Sequence, residues 1–205
     1  MLPGMMTRNA SLTPTAANAN ANAALPEPAD LVAAWRDAGY EKWFSRDDAF
    51  DAMLRDRFGA AQAAAARGEL DGWQATPEGA LALVLLLDQI PRNIYRSTPA
   101  AFATDLAARR IAAASLERGY DARVAPELRS FFYLPFMHSE ELADQARCVA
   151  LYQALGNADG LRYAEEHRDI IARFGRFPHR NRILGRETTA DELAYLEAGG
   201  FTGGQ

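Results

Sequence analysis

The sequence predicts an all-α fold: a single-domain stack of about eight or nine antiparallel helices, with no sheet. Apolar residues recur at spacings of three and four beyond Pro28, and no window shows sustained alternation of apolar and polar residues. The chain has 205 residues and a mass of 22.4 kDa, about the length of one domain. Its 49% hydrophobic and 24% charged residues are typical of globular proteins that bury a core.

The first half of the chain carries clear helix start and stop signals. Apolar residues over Leu31–Ala38 predict a first helix that Gly39 ends. Ser45–Asp48 resembles a capping box with Asp in place of Glu, and it opens a second helix that ends near Gly68. Thr76 followed by Pro77 predicts the start of a third helix, with Thr as N-cap.

The third helix is predicted to lie at the centre of the fold. Its interior, Ala80–Leu87, is apolar on every side, and Pro91 interrupts it. Later start and stop signals predict helices over residues 99–119, 126–134, 139–156, 158–174 and 189–199, with Ser139 and Thr189 as N-caps. The short connections make successive helices antiparallel neighbours.

Composition limits the compartment and the partners. Residues 1–27 include the run AANANANAA, which predicts a disordered tail before one helical domain over residues 28–205. The start lacks the apolar core of a secretory signal, no run reaches the length of a membrane span, and Cys148 has no second cysteine to pair with. We therefore expect a cytoplasmic protein without membrane contact, while its oligomeric state stays open. The net charge of −5 and pI of 5.3 disfavour nucleic-acid binding.

Residues 85–96, LLLDQIPRNIYR, form the first segment that an ordinary helix surface does not explain. Asp88 lies near the end of the most apolar helix, where the helix dipole disfavours an anion. A buried carboxylate needs a cationic partner, and Arg92 and Arg96 are candidates. This pair either pins the kink at Pro91 or forms a polar wall of a ligand site, to which Asn93 would contribute.

Residues 131–145, FFYLPFMHSEELADQ, form the second segment. Capping and the helix dipole account for Ser139, Glu140 and Glu141. His138 has no such explanation. It is either a hydrogen-bonded structural residue or a catalytic one.

Residues 167–186, HRDIIARFGRFPHRNRILGR, form the third segment. From position 173 to 186 it carries five arginines and no acid, in a chain of negative net charge. A guanidinium group grips carboxylate or phosphate through a planar fork of donors. The cluster therefore predicts either internal pairs with protein acids (Asp88, Asp105, Glu140, Glu187) or a bound anionic ligand. His167 lies on an apolar stripe and is expected to be a satisfied core histidine.

The leading functional hypothesis is a pocket for a small carboxylate or phosphate ligand. The residues expected to bind it are Arg92, Asn93, Arg96, Arg173, Arg176, Arg180 and Asn181. If chemistry occurs there, His138 or His179 is the expected general acid or base, because nearby arginines lower the pKa of a histidine. Asp88 would orient that histidine or position a cation. No nucleotide-binding or catalytic motif is present, so no cofactor is expected.

Two other classes stay open. A helical interaction module could hold an acidic peptide or its terminal carboxylate in a groove lined by Arg and Asn. A metal-dependent enzyme could use His138 and Glu141 with His167 or His179 as ligands. An enclosed pocket favours the small molecule, an open groove favours the peptide, and converging ligands favour the metal.

The three segments also carry a family resemblance. The stretches LALVLLLDQIPRNIYRSTPAAFATD, LPFMHSEELADQ and HRDIIARFGRFPHRNRILGRETTADELAYLE resemble the bacterial domain-of-unknown-function 924 family. Trp43-Phe44 and GELDGW at residues 68–73 fit the same pattern, so the resemblance covers about residues 31–201. It implies a tetratricopeptide-like, all-helical fold and carries no established activity.

Overall fold

The computed structural model describes residues 25–203, and this part of the chain is helical without a strand, as predicted. Most of the predicted tail, residues 1–24, lies outside the described residues, and Leu25–Glu27 lead into the first helix. The helices are α1 (Pro28–Phe44), α2 (Asp48–Ala66), α3 (Pro77–Val84), α4 (Ile90–Ile94), α5 (Asp105–Glu117), α6 (Leu134–Met137), α7 (Leu142–Leu155), α8 (Ala158–Phe174), α9 (Asn181–Leu184) and α10 (Ala190–Glu197). Short 3₁₀ helices lie over Asp71–Ala75, Pro99–Phe102, Asp121–Arg123, Pro126–Phe132 and Pro178–Arg180.

The predicted helix at the centre of the fold is confirmed. Every residue from Gly79 to Pro91 is buried, and α1, α2 and α5 pack around this segment. Leu85–Gln89 form a π-helical turn between α3 and α4, so the chain stays helical from Pro77 to Ile94. Pro91 lies inside this continuous helix, where it has no N–H to donate to a carbonyl of the preceding turn. The Leu87 carbonyl, four residues before Pro91, accepts the Thr104 hydroxyl instead, at 2.6 Å. The π turn places one extra residue into the apolar helix, a feature that is frequent at functional sites.

Two of the predicted helix starts are confirmed in detail. The Thr76 side chain accepts the Gly79 N–H at 3.1 Å and caps α3. Thr189 and Glu192 form a complete capping box at the start of α10, each side chain accepting the other's backbone N–H. These caps satisfy N–H groups that have no partner within the helix.

Other boundaries differ from the prediction. Asp47, not Ser45, caps α2, because its carboxylate accepts two backbone N–H groups while Ser45 donates to the end of α1. Gly39 does not end α1; its φ of 78° puts a kink there, and the helix resumes to Phe44. Ser139 lies before α7, which has Glu141 at its N-cap position.

Pro135 also contradicts the expected boundary, because it lies in the first turn of α6 instead of ending a helix. The segment before it, Pro126–Phe132, is a 3₁₀ helix. A proline is tolerated at a first turn, so the proline that predicted a stop marks a start.

The C-terminal third is built on a helical hairpin. Helices α7 and α8 pack closely along each other and are joined through Gly156, whose φ of 72° is a left-handed conformation that favours glycine. A second, smaller hydrophobic cluster of Ile170, Ile171 and Phe177 holds α10 and Phe201 against α8. The last described residues thereby reach the site described below. None of the helices within residues 25–203 has both the length and the apolar composition that a membrane crossing requires.

Two glycines provide a matched test of the α7–α8 packing. A Cβ at Gly160 in α8 would lie 2.2 Å from the ring of Tyr152, which is buried in α7. We expect Gly160→Ala to lower the free energy of unfolding by about 1–3 kcal/mol through overpacking. Gly59→Ala in α2 meets nothing within 4 Å and should raise it by roughly 0.5–1 kcal/mol. Urea unfolding measures both, and a neutral Gly160→Ala would contradict this packing.

Candidate functional site

The structure gathers side chains from all three unusual segments around one cavity of about 140 Å³. The first segment contributes residues of the π turn and α4, the second contributes the end of α6, and the third contributes α8 and the 3₁₀ helix after it. The charged, amide and imidazole side chains in its lining are Gln89, Arg92, Asn93, Arg96, His138, His167, His179 and Arg180. Trp43, Phe44, Ser45, Phe102, Leu134, Phe201 and Gly203 complete the lining.

Asp88 and His138 form a buried pair at the wall of this cavity. Asp88 has no exposed surface, and its Oδ1 lies 2.8 Å from His138 Nδ1. Gln89 Nε2 donates to Asp88 Oδ2 at 2.5 Å, and Arg92 Nη1 lies 3.4 Å from Oδ1. An ionised carboxylate only accepts hydrogen bonds, so neutral His138 carries its proton on Nδ1. The other ring nitrogen, Nε2, is left for a ligand.

The protonation states of this pair follow from its surroundings. Burial, reinforced by the positive charge of Arg92, lowers the pKa of His138. Burial alone would raise the pKa of Asp88, but the charge of His138 when it is protonated at low pH, the charge of Arg92 and the hydrogen bonds from His138 and Gln89 outweigh it, so the pKa is lowered. At neutral pH the pair is therefore a carboxylate that holds a neutral imidazole in one tautomer.

Two further histidines line the cavity. His167 Nδ1 donates to the Tyr163 carbonyl at 2.7 Å, and burial lowers its pKa to about 4. Burial and the neighbouring Arg180 lower the pKa of His179 to about 3. The Phe201 ring covers both imidazoles, with ring centroids 4.4 Å from His167 and 5.3 Å from His179. All three histidines in the chain therefore reach one site as neutral rings.

Two of the three arginines in the lining are held by protein carboxylates. Arg92 forms a bidentate pair with Asp105 at 2.9 and 3.0 Å and also donates to the Asp88 carbonyl. Arg96 binds both oxygens of Asp51, which also accepts Asn93 Nδ2 at 2.8 Å. These pairs fix the guanidinium groups in place and use much of their donor capacity.

Arg180 differs from the other two. It is 7% exposed, and its guanidinium carbon lies 4.7 Å from the ring centre of Phe102 and 4.5 Å from that of Phe177. Its nearest acid is Asp105, at 3.6 Å from Nη1, and its buried Nε has no hydrogen-bond acceptor. Burial and repulsion by Arg92 lower its pKa to about 10, so it stays charged at neutral pH. The rings of Phe102 and Phe177 fix the plane of the charged guanidinium, and its Nε has no hydrogen-bond acceptor.

Three residues expected to bind the ligand lie outside the cavity. Arg173 stacks on Phe174 and Tyr195, and Arg176 forms a bidentate pair with Glu192 at 2.6 and 2.8 Å. Asn181 donates to Glu192 and accepts from Arg186, which binds both oxygens of Glu140. They stand apart because all three side chains contact α10: Arg173 lies over Tyr195, and Arg176 and Asn181 donate to Glu192. We leave Arg173, Arg176 and Asn181 out of the proposed site.

The sequence analysis did not identify several lining residues. Gln89 follows Asp88 directly, so a polar residue in the same buried turn was the available signal. Phe102, Phe201 and the Trp43-Phe44 pair come from distant parts of the chain, and no sequence pattern links them to the cavity. His167 is buried and hydrogen-bonded, as expected of a core histidine, and it also lines the cavity.

The proposed metal ligands do not converge. Glu141 is exposed and does not line the cavity that contains the three histidines. Within residues 25–203, no group of three or more His, Cys, Asp or Glu side chains has an arrangement that could hold a metal ion. The metal-dependent alternative thus has no ligand set in this part of the chain.

Acid should destabilise the protein through these histidines. The pKa of His167 falls from 6.5 to about 4 on folding, so the unfolded state binds the proton more readily between these values. Stability is therefore lost as pH falls from about 6.5 towards 4, by roughly 2–3 kcal/mol for this residue. Urea unfolding at pH 7 and pH 5 should show a smaller loss in His167→Gln than in the wild type. Equal losses would contradict a buried neutral His167.

Comparisons with known proteins agree with this architecture. The family model described as "Bacterial protein of unknown function (DUF924)" matches residues 31–200. A solved structure of a protein of unknown function from Agrobacterium tumefaciens is 55% identical, with a TM-score of 0.81. The match covers 84% of this chain and 97% of that one. The comparison with curated proteins gave no match. Because the family model spans most of the folded chain, the protein belongs to the DUF924 family.

Proposed function

We propose that the protein binds a small anionic ligand, a carboxylate or a phosphate compound, in the cavity beside Arg180. One observation carries this proposal: Arg180 is almost fully buried, its Nε lacks an acceptor, and its nearest acid lies 3.6 Å away. A buried charged group without hydrogen-bond partners is costly. Neither terminal nitrogen of the Arg180 guanidinium donates a hydrogen bond within residues 25–203, and a bidentate anion in the cavity would accept from both. The cavity offers the space for that anion.

The size of the cavity favours a small molecule over a peptide. A cavity of about 150 Å³ accommodates a molecule such as benzene, and this one measures about 140 Å³. Inorganic phosphate or the head of a short carboxylic acid fits that space, and a peptide backbone does not. Asn93 and Arg96 lie in the lining as further polar groups, with Arg92 adding positive potential near Arg180.

Thermal unfolding with and without ligand tests this proposal. We expect phosphate or short organic acids to raise the melting temperature of the wild type, since a ligand that binds only the folded state stabilises it. Arg180→Lys keeps the charge but removes the fork of donors, and it should abolish most of this stabilisation. A panel that includes phosphate, acetate and malonate covers both chemical classes.

Arg182→Gln is the matched control. Arg182 is exposed, lies two residues from Arg180 and is absent from the lining of the cavity. This variant should respond to the panel as the wild type does. The proposed site is contradicted if no compound of the panel raises the melting temperature of the wild type. It is also contradicted if the increase is as large in Arg180→Lys as in the wild type.

The Asp88–His138 pair favours proton transfer on the bound ligand as a second function. His138 Nδ1 is held by Asp88 at 2.8 Å, which leaves Nε2 unprotonated on the side of the cavity. Such a nitrogen is a general base, and Asp88 stabilises the imidazolium that forms when it accepts a proton. The Ser45 hydroxyl donates to the Glu41 carbonyl and Cys148 is buried outside the lining, so the base acts on the ligand or on water.

The tautomer of His138 provides a direct test of this second function. Nitrogen-15 NMR of the wild type at pH 7 should show His138 protonated at Nδ1 and unprotonated at Nε2. Asp88→Asn removes the carboxylate acceptor, so we expect the population of the Nε2-protonated tautomer to rise. Asp144→Asn alters a carboxylate outside the cavity and should leave the His138 signals unchanged. A wild-type ring protonated at Nε2 would remove the proposed base.

A further inference from the structure

A second, larger cleft adjoins the cavity. This outer cleft measures about 360 Å³ and is lined by residues of the ranges 99–105 and 138–141, together with Arg109, Arg180 and Leu184. Three of its residues, Phe102, His138 and Arg180, also line the cavity. The guanidinium of Arg180 and the imidazole of His138 therefore lie at the boundary between the cavity and the outer cleft.

The charged groups of the outer cleft are largely occupied by protein partners. Asp105 is held by Arg92, and both oxygens of Glu140 bind Arg186. Arg109 pairs with Asp144 at 2.9 Å. Ser139 Oγ donates to the same carboxylate at 2.7 Å. Only the exposed Glu141, at the rim, has no charged partner among the described residues. Apart from Arg180, the inner part of the cleft offers no free charge to a ligand.

Apolar side chains form the remaining wall of the outer cleft. Pro99, Phe102 and Ala103 lie along one short segment, and Leu184 at the end of α9 is 36% exposed. A cleft with satisfied charges and apolar walls gains free energy by burying hydrocarbon. A charged or strongly polar group would lose hydration there without finding a partner.

We propose that the ligand is an amphipathic acid: its anionic head binds Arg180, and its uncharged, mainly hydrocarbon tail lies along the outer cleft. This inference rests on the proposed anion site and adds the chemical class of the ligand. Phe102 touches both parts, because its ring supports the guanidinium of Arg180 and also forms the wall beside the tail. Phe102 is thus a specificity-determining residue.

A series of straight-chain carboxylates tests the proposal on the full-length protein. Acetate, butyrate, hexanoate and octanoate share one head group and differ only in tail length. Each methylene buried in the outer cleft should tighten the dissociation constant by about fourfold, until the tail reaches the end of the cleft. Titrations followed by NMR measure these constants for the wild type.

Two variants locate the tail. Ala103→Trp fills the outer cleft from an exposed position, so acetate should bind as before while the gain with chain length disappears. Leu184→Gln replaces an exposed apolar wall residue with a polar one of similar size and should reduce the same gain. The second variant decides the question if Ala103→Trp fails to fold.

The outcomes separate this inference from the anion site. If acetate binds the wild type and longer acids bind no more tightly, the amphipathic ligand is wrong and the anion site stands. If the affinity still increases with chain length in both variants, the amphipathic ligand in the outer cleft is also wrong, because the tail then lies elsewhere. If neither phosphate nor any acid binds, the anion site fails and this inference fails with it.

Discussion

The buried carboxylate of Asp88 is the constraint on which the site depends. A charge without exposed surface inside the most apolar helix is tolerated only with direct compensation. His138, Gln89 and Arg92 supply it from α6, from the same π turn and from α4. This compensation ties the first segment, residues 85–96, to the second, residues 131–145, in one wall. A buried ion pair seldom adds net stability, so a role of this pair in the proposed site supplies a reason for a charge in the core that scaffold stability does not.

Asp105 explains why Arg180 stays unsatisfied. Its two oxygens each accept a hydrogen bond from Arg92, and in this geometry Oδ2 lies 3.6 Å from Arg180 Nη1, which gives attraction without a hydrogen bond. In formal charge, the three cavity arginines are balanced by Asp51, Asp88 and Asp105. The formal charges around the cavity are therefore balanced, and what Arg180 lacks is a hydrogen-bond acceptor. A bound anion would make the local charge negative and would raise the pKa of His138, so the proposed anion site would make the proposed base stronger.

The sequence predicted the scaffold well where local chemistry decides structure. Thr76 and the Thr189 box cap helices as expected, and the apolar run after Ala80 is the buried centre. It also predicted that Asp88 needs a cation, and Arg92 is one of its partners. It assigned the cap of α2 to Ser45 and not to Asp47, because both residue types cap helices. It read Pro135 as a helix end, because a proline fits either the end of one helix or the start of the next.

The arginine cluster shows where sequence reasoning stops. Arg176 and Arg180 lie four residues apart and are chemically identical, yet Arg176 is neutralised by Glu192 and Arg180 is stacked between two rings with a free Nε. The difference is set by Gly175 and the 3₁₀ helix after it, which turn the chain so that one side chain faces α10 and the other faces the cavity. A count of arginines can predict that a cluster needs anions. Only the positions of Glu192, Glu140 and Asp105 decide which arginine lacks a hydrogen-bonded carboxylate. Those acids lie in α10, in the loop before α7 and in α5, far apart in the chain.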